Sequence, residues 1–109
     1  MQNDSRGNKA TVWIVHQDPR RDYSAAEGYG NVMCVFSSIA REFNPDAMIE
    51  HARRVLRKAQ EGDFLVLSGD PALCGVCIAV LAEYMGRFKI LRWDRVQLNY
   101  SVMTLNFLE

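Results

Sequence analysis

Residues Asp63 to Asp94 constrain the fold more than any other stretch. They read DFLVLSGDP, then ALCGVCIAVLAEYMG, then RFKILRWD. Phe64 to Leu67 is an uninterrupted apolar run, the pattern of a strand covered on both faces. Asp70 and Pro71 open a helix, an acidic cap followed by a proline at the first helical position. Gly86 closes it as a C′ residue. Arg87 to Trp93 returns as a strand. A strand, a helix and a second strand in succession form a crossover unit, which pairs its strands in parallel.

The remaining segments extend this unit. Thr11 to Val15 (TVWIV) reads as a strand buried on both faces, stopped at His16-Gln17-Asp18-Pro19. Asn31 to Phe36 reads as another strand. Asn44-Pro45-Asp46 starts a helix expected to reach about Gln60. Met48, Ile49, Ala52, Val55, Leu56 and Ala59 form its buried stripe. Tyr100 to Phe107 follows a short turn after the Arg87 strand, so these two strands are expected to form an antiparallel hairpin. The expected fold is α/β: a mostly parallel sheet of about five strands, two main helices and a C-terminal antiparallel hairpin. With 109 residues the chain suffices for one core. We assign residues 10–109 to one domain and Met1 to Lys9 to a loose tail.

Composition excludes several classes. Acidic and basic residues balance at 13 each, so net charge favours neither nucleic acid nor a membrane surface. Three cysteines are an odd number at low density, unlike a secreted disulfide scaffold. Met1 to Lys9 lacks the apolar core of a signal peptide. The apolar run from Ala72 to Ala82 is shorter than the roughly 20 residues of a transmembrane helix. The expected location is the cytoplasm.

Two loops carry polar side chains suited to a site. The turn Ser68-Gly69-Asp70 lies at the carboxyl end of a parallel strand, where α/β proteins bind ligands. The same aspartate caps the helix, which satisfies the N–H groups an anion would use. The long loop Asp18 to Gly30 is the second candidate. Within it Ser24 and Glu27 have capping-box spacing. His16, Asp22 and Glu27 are expected to share a cleft with Ser68, Gly69 and Asp70, a set with general acid–base capacity. No nucleophile–base spacing is recognisable, so no catalytic residue is assigned. Arg20, Arg21, Tyr23 and Tyr29, with Trp93 and Arg95 of the later turn, are the expected partner contacts, since Tyr, Trp and Arg dominate binding hot spots.

Three further patterns have structural explanations beside functional ones. Cys74-Gly75-Val76-Cys77 is similar to the thioredoxin-type C-G-x-C motif, but it sits inside a helix and no Trp precedes it. Zinc would need further ligands, and Cys34, His16 and His51 are scattered along the chain. No metal or cofactor is therefore implied. Ala72, Gly75, Ala79 and Ala82 form a small-residue stripe on a helix that is apolar nearly all round. That stripe either lets the helix sit close to the sheet or meets a second subunit. Arg53, Arg54, Arg57 and Lys58 suit a nucleic-acid face, yet they crowd a helix C-terminus, where cations complement the dipole.

The set LVLSGDPALCG, a Gly-terminated helix, and KILRWDR followed by a Tyr-containing strand resembles small proteins encoded by tailed bacteriophages. The matching residues are Ser68, Gly69, Asp70 and Pro71, then Trp93, Asp94 and Arg95. Tyr23, Ser24, Glu27, Tyr29 and Gly30 look similar too. The resemblance implies a phage source and an α/β fold, with no established activity attached. The expected function is therefore a non-enzymatic phage accessory protein. It would bind a host or phage macromolecule, as a homo-oligomer built on the small-residue helix. The alternative is a small phosphate- or nucleotide-binding domain, or an enzyme, centred on the SGDP turn.

Overall fold

The computed structural model describes residues 9–37 and 44–108. The expected tail, up to residue 8, lies outside the described residues. In chain order the elements are β1 (Thr11–His16), a short 3-10 helix (Ser24–Gly28), β2 (Asn31–Phe36), α1 (Pro45–Leu56), β3 (Phe64–Val66), α2 (Pro71–Tyr84), β4 (Arg87–Asp94) and β5 (Asn99–Asn106). The strands form one sheet in the order β2-β1-β3-β4-β5. Only the β4–β5 pair is antiparallel. The expected α/β fold with its C-terminal hairpin is the observed one.

Strand alternation sorts the side chains onto two faces. Trp13, Val15, Leu65, Phe88 and Ile90 point to one face, where α1 supplies Ala52 and Leu56 and α2 supplies Leu73, Cys77, Val80 and Leu81. Val12, Ile14, Val66, Leu91 and Tyr100 point to the other. No long helix covers that side among the described residues. The loop after β1 lies there instead, with Ala26 buried and Tyr23 and Tyr29 packed against the core. Each aliphatic side chain buried this way contributes roughly 1.5–3 kcal/mol.

Both helix starts follow their caps. Asn44 Oδ1 accepts the Ala47 amide at 2.8 Å, and Asp70 Oδ1 accepts the Ala72 amide at 2.8 Å. Helix α1 ends at Leu56, earlier than its apolar stripe suggests. The amides of Lys58 and Ala59 reach back only three residues, to Val55 and Leu56. The last turn tightens there, and Arg57 and Lys58 fall just beyond the helix. After α2, Gly86 takes φ +75°, and an added Cβ would overlap the Leu108 side chain.

One buried carboxylate ties the amino end of the sheet together. Asp63 accepts hydrogen bonds from the Thr11 amide (2.9 Å), the Trp13 indole Nε1 (3.0 Å) and the Gln60 amide (2.9 Å). It thereby holds β1, β3 and the loop after α1 in one register. Three donors at a negative group compensate for its removal from water.

Candidate binding cleft

The strand order reverses direction between β1 and β3, and α/β sheets bind ligands outside the carboxyl ends of strands at such a point. Here the loop after β1 and the turn after β3 meet at that edge. His16 Nδ1 accepts the Asp70 amide at 3.2 Å. Its Nε2 is buried without a hydrogen-bond partner among the described residues. The Tyr23 hydroxyl and Ser68 Oγ lie 2.5 Å apart, and the same hydroxyl accepts the Asp18 amide at 3.0 Å. Gly69 makes this contact feasible: its φ is +86°, and a Cβ there would lie 2.5 Å from His16 Cβ.

The expected cluster is thus assembled in part. His16, Ser68, Gly69 and Asp70 do come together, but their polar atoms serve one another. Ser68 is buried, and Asp70 spends its carboxylate on the helix cap. Asp22 has no hydrogen bond to this cluster among the described residues; its carboxylate accepts the Ser24 amide at 2.9 Å. That bond holds its pKa below the ordinary value. Ser24 itself lies inside the 3-10 helix, whose N-cap is Tyr23. Glu27 is exposed on that helix and has no hydrogen bond or ion pair among the described residues.

Beside this latch the edge opens into a cleft of about 800 Å³. Its floor is the ends of β3 and β4, with Val66, Leu67 and Leu91. Arg21, Asp22 and Ser24 form one wall, and Arg92, Trp93, Arg95 and Tyr100 form the other. Arg21 lies over the Tyr23 ring at 5.5 Å from its centroid, which holds the guanidinium in place. Trp93 packs edge-on against Tyr100 with centroids 5.0 Å apart and remains 40% exposed. Burial pushes the Tyr100 phenol up, with Arg21 acting in the opposite direction.

Arg21, Trp93 and Arg95, singled out from sequence, therefore line one cleft. Arg20 does not: it is exposed and paired with Asp18 at 3.2 Å. Tyr29 is structural, its hydroxyl donating to the Tyr100 carbonyl at 3.2 Å and its ring edge-on to Phe64. Arg92 and Tyr100 belong to the cleft although sequence reasoning passed over them. The available signal was strand order, since placing β4 beside β3 brings the two carboxyl ends together. Asp63 carries no sequence signal of its role either, since two of its donors lie 52 and 50 positions away.

The remaining motifs are placed as follows. Burial pushes the Cys77 thiol up to about 12 and raises Cys74 as well, with Asp70 adding to the latter. Raised thiols are the opposite of what redox catalysis requires. Among the described residues no group of three candidate ligands could hold a metal ion. No helix among the described residues is long and apolar enough to cross a membrane. In α2 the stripe faces outward: Ala72, Gly75 and Ala79 are exposed, whereas Ala82 is half-buried against the core. On α1, Arg53 pairs with Glu83 at 3.2 Å, and the Tyr84 hydroxyl donates to the Arg57 carbonyl at 2.9 Å. Arg54 and Lys58 stay exposed.

No curated protein and no solved structure gives a significant match to the chain. The phage Pam3 gp32-like protein model matches residues 10–107, nearly the whole chain. The protein belongs to the phage Pam3 gp32-like family.

Proposed function

We propose that this phage protein is a non-catalytic binding module, which engages a host or phage macromolecule through the cleft at the carboxyl edge of β3 and β4. The observation that carries this is the grouping of Arg21, Arg92, Arg95 and Trp93 around one open space. Guanidinium and indole groups supply most of the energy at binding hot spots. The neighbouring groups with chemical potential are occupied: Ser68 by Tyr23, His16 Nδ1 and the Asp70 carboxylate by backbone amides. The test is capture from host lysate by the wild-type chain and by an Arg92→Glu/Arg95→Glu variant. A macromolecule retained by the first and lost by the second supports binding at the cleft. Equal capture by both overturns it.

Self-association through α2 is a second element of the proposal. Its outward face carries Ala72, Gly75 and Ala79, while the large side chains Leu73, Val80 and Leu81 point inward. A close helix–helix contact between two copies would cover that small face. Ala79→Glu would place a charge in such a contact without touching the core. Light scattering should then read a dimer or larger for the wild type and a monomer for the variant. The same mass for both, with unchanged circular dichroism, contradicts it.

A further inference from the structure

We propose that the occupant of the cleft is an acidic segment of another protein, anchored by a large apolar side chain. This rests on the binding role above and names the chemistry of its partner. Arg21, Arg92 and Arg95 have no ion pair among the described residues. Among the described residues one carboxylate, Asp22, lines the cleft with them, and it also accepts the Ser24 amide. Three guanidinia against one carboxylate leave the lining cationic, which selects carboxylate or phosphate, groups that arginine binds in bidentate fashion.

The rim decides between those anions. The β4–β5 turn that brings Arg95 to the cleft also carries Val96, 90% exposed, and Leu98, 69% exposed. Those side chains do not project by looseness. Asp94 Oδ1 accepts the amides of Val96 (2.8 Å) and Gln97 (3.0 Å), and the Leu98 amide closes onto the Asp94 carbonyl at 2.8 Å. Leu98 also holds φ +56°, a left-handed conformation unfavourable for a residue with a branched side chain. A turn that holds Arg95 and two exposed aliphatic groups next to a cationic cleft fits a partner that is acidic and apolar together. A nucleic acid would satisfy the arginines and the indole but leave Val96 and Leu98 in water. A protein segment carrying Asp or Glu beside Leu, Phe or Trp would cover both.

The test is selection of random dodecapeptides, displayed on yeast, against the full chain. The expected winners combine acidic residues with a large apolar one. A synthetic copy of the best should lose about tenfold or more in affinity for Arg92→Glu/Arg95→Glu. It should lose a comparable factor for Val96→Ser/Leu98→Ser. Both pairs are exposed, and unchanged circular dichroism verifies each variant's fold. Binding should also weaken between about 50 and about 300 mM salt. Absence of any enriched peptide, winners without acidic residues, or oligothymidylate binding more tightly than every peptide each overturns the proposal. If no peptide is enriched while capture from lysate still depends on Arg92 and Arg95, the occupant is wrong and the binding role stands. If that capture is independent of the arginines, the binding role itself falls.

Discussion

The hydroxyl of Tyr23 lies 2.5 Å from Ser68 Oγ, which fastens the long loop after β1 to the turn after β3. One wall of the cleft, Arg21 to Ser24, is positioned by that contact, because Tyr23 sits in its middle.

Tyr23→Phe removes this bond and the one to the Asp18 amide. The expected cost is about 1–2 kcal/mol, since Ser68 is buried and loses a partner. For a domain of this size each kcal/mol lowers Tm by roughly 4–8 °C. Amide exchange should accelerate across residues 18–29 while the β3 amides stay protected. An unchanged Tm together with unchanged exchange in that loop would refute the latch.

Asp63→Ala removes the acceptor of the buried Thr11 amide and Trp13 indole and of the part-buried Gln60 amide. Orphaned buried donors make this the most damaging polar substitution we foresee, at about 3–5 kcal/mol. Urea unfolding should show the midpoint falling accordingly. A loss below about 1 kcal/mol would mean that water reaches those donors and that Asp63 does not organise the edge.

Gly69→Ala tests the close approach of the two loops. The new Cβ would meet His16 Cβ at 2.5 Å, at a backbone φ of +86°. Strain and clash together should cost about 1–3 kcal/mol. Gly28→Ala is the control: it sits exposed on the short 3-10 helix, with nothing within 4 Å of its Cβ position. It should stabilise the chain by about 0.4–1 kcal/mol. Thermal melts that rank the two variants the other way would contradict this geometry.

Thiol chemistry separates the three cysteines. The thiolate is the reactive form, so a raised pKa means less of it at pH 8. Burial raises all three thiols, Cys77 most, to about 12; Cys77 is buried and Cys74 half-buried, whereas Cys34 is exposed to reagent. Iodoacetamide at pH 8 should label Cys34 first, Cys74 slowly and Cys77 only after unfolding. Rapid labelling of Cys74 in the folded chain would reopen a redox role for the C-G-V-C motif.

Local chemistry made much of this fold readable. Asn44-Pro45 and Asp70-Pro71 cap the helices as their residue types require, and Gly86 ends α2. The loop from Asp18 to Gly30 was less legible. Its part in covering the second face of the sheet depends on Ala26, Tyr23 and Tyr29 meeting residues some 40 to 70 positions away. No periodicity records such contacts. The small-residue stripe of α2 allowed opposite orientations, and packing placed Ala72, Gly75 and Ala79 outward. Arg21, Trp93 and Arg95 were identifiable by residue type. Arg92 joined them only once β4 was set beside β3.

Hydrogen exchange of the chain alone and with its captured partner tests binding at the cleft most directly. The account predicts new protection confined to residues 21–25 and 91–98, the two walls of the cleft and its rim. Protection on α1 or on the outer face of α2, with the amides of those two segments unchanged, would contradict it.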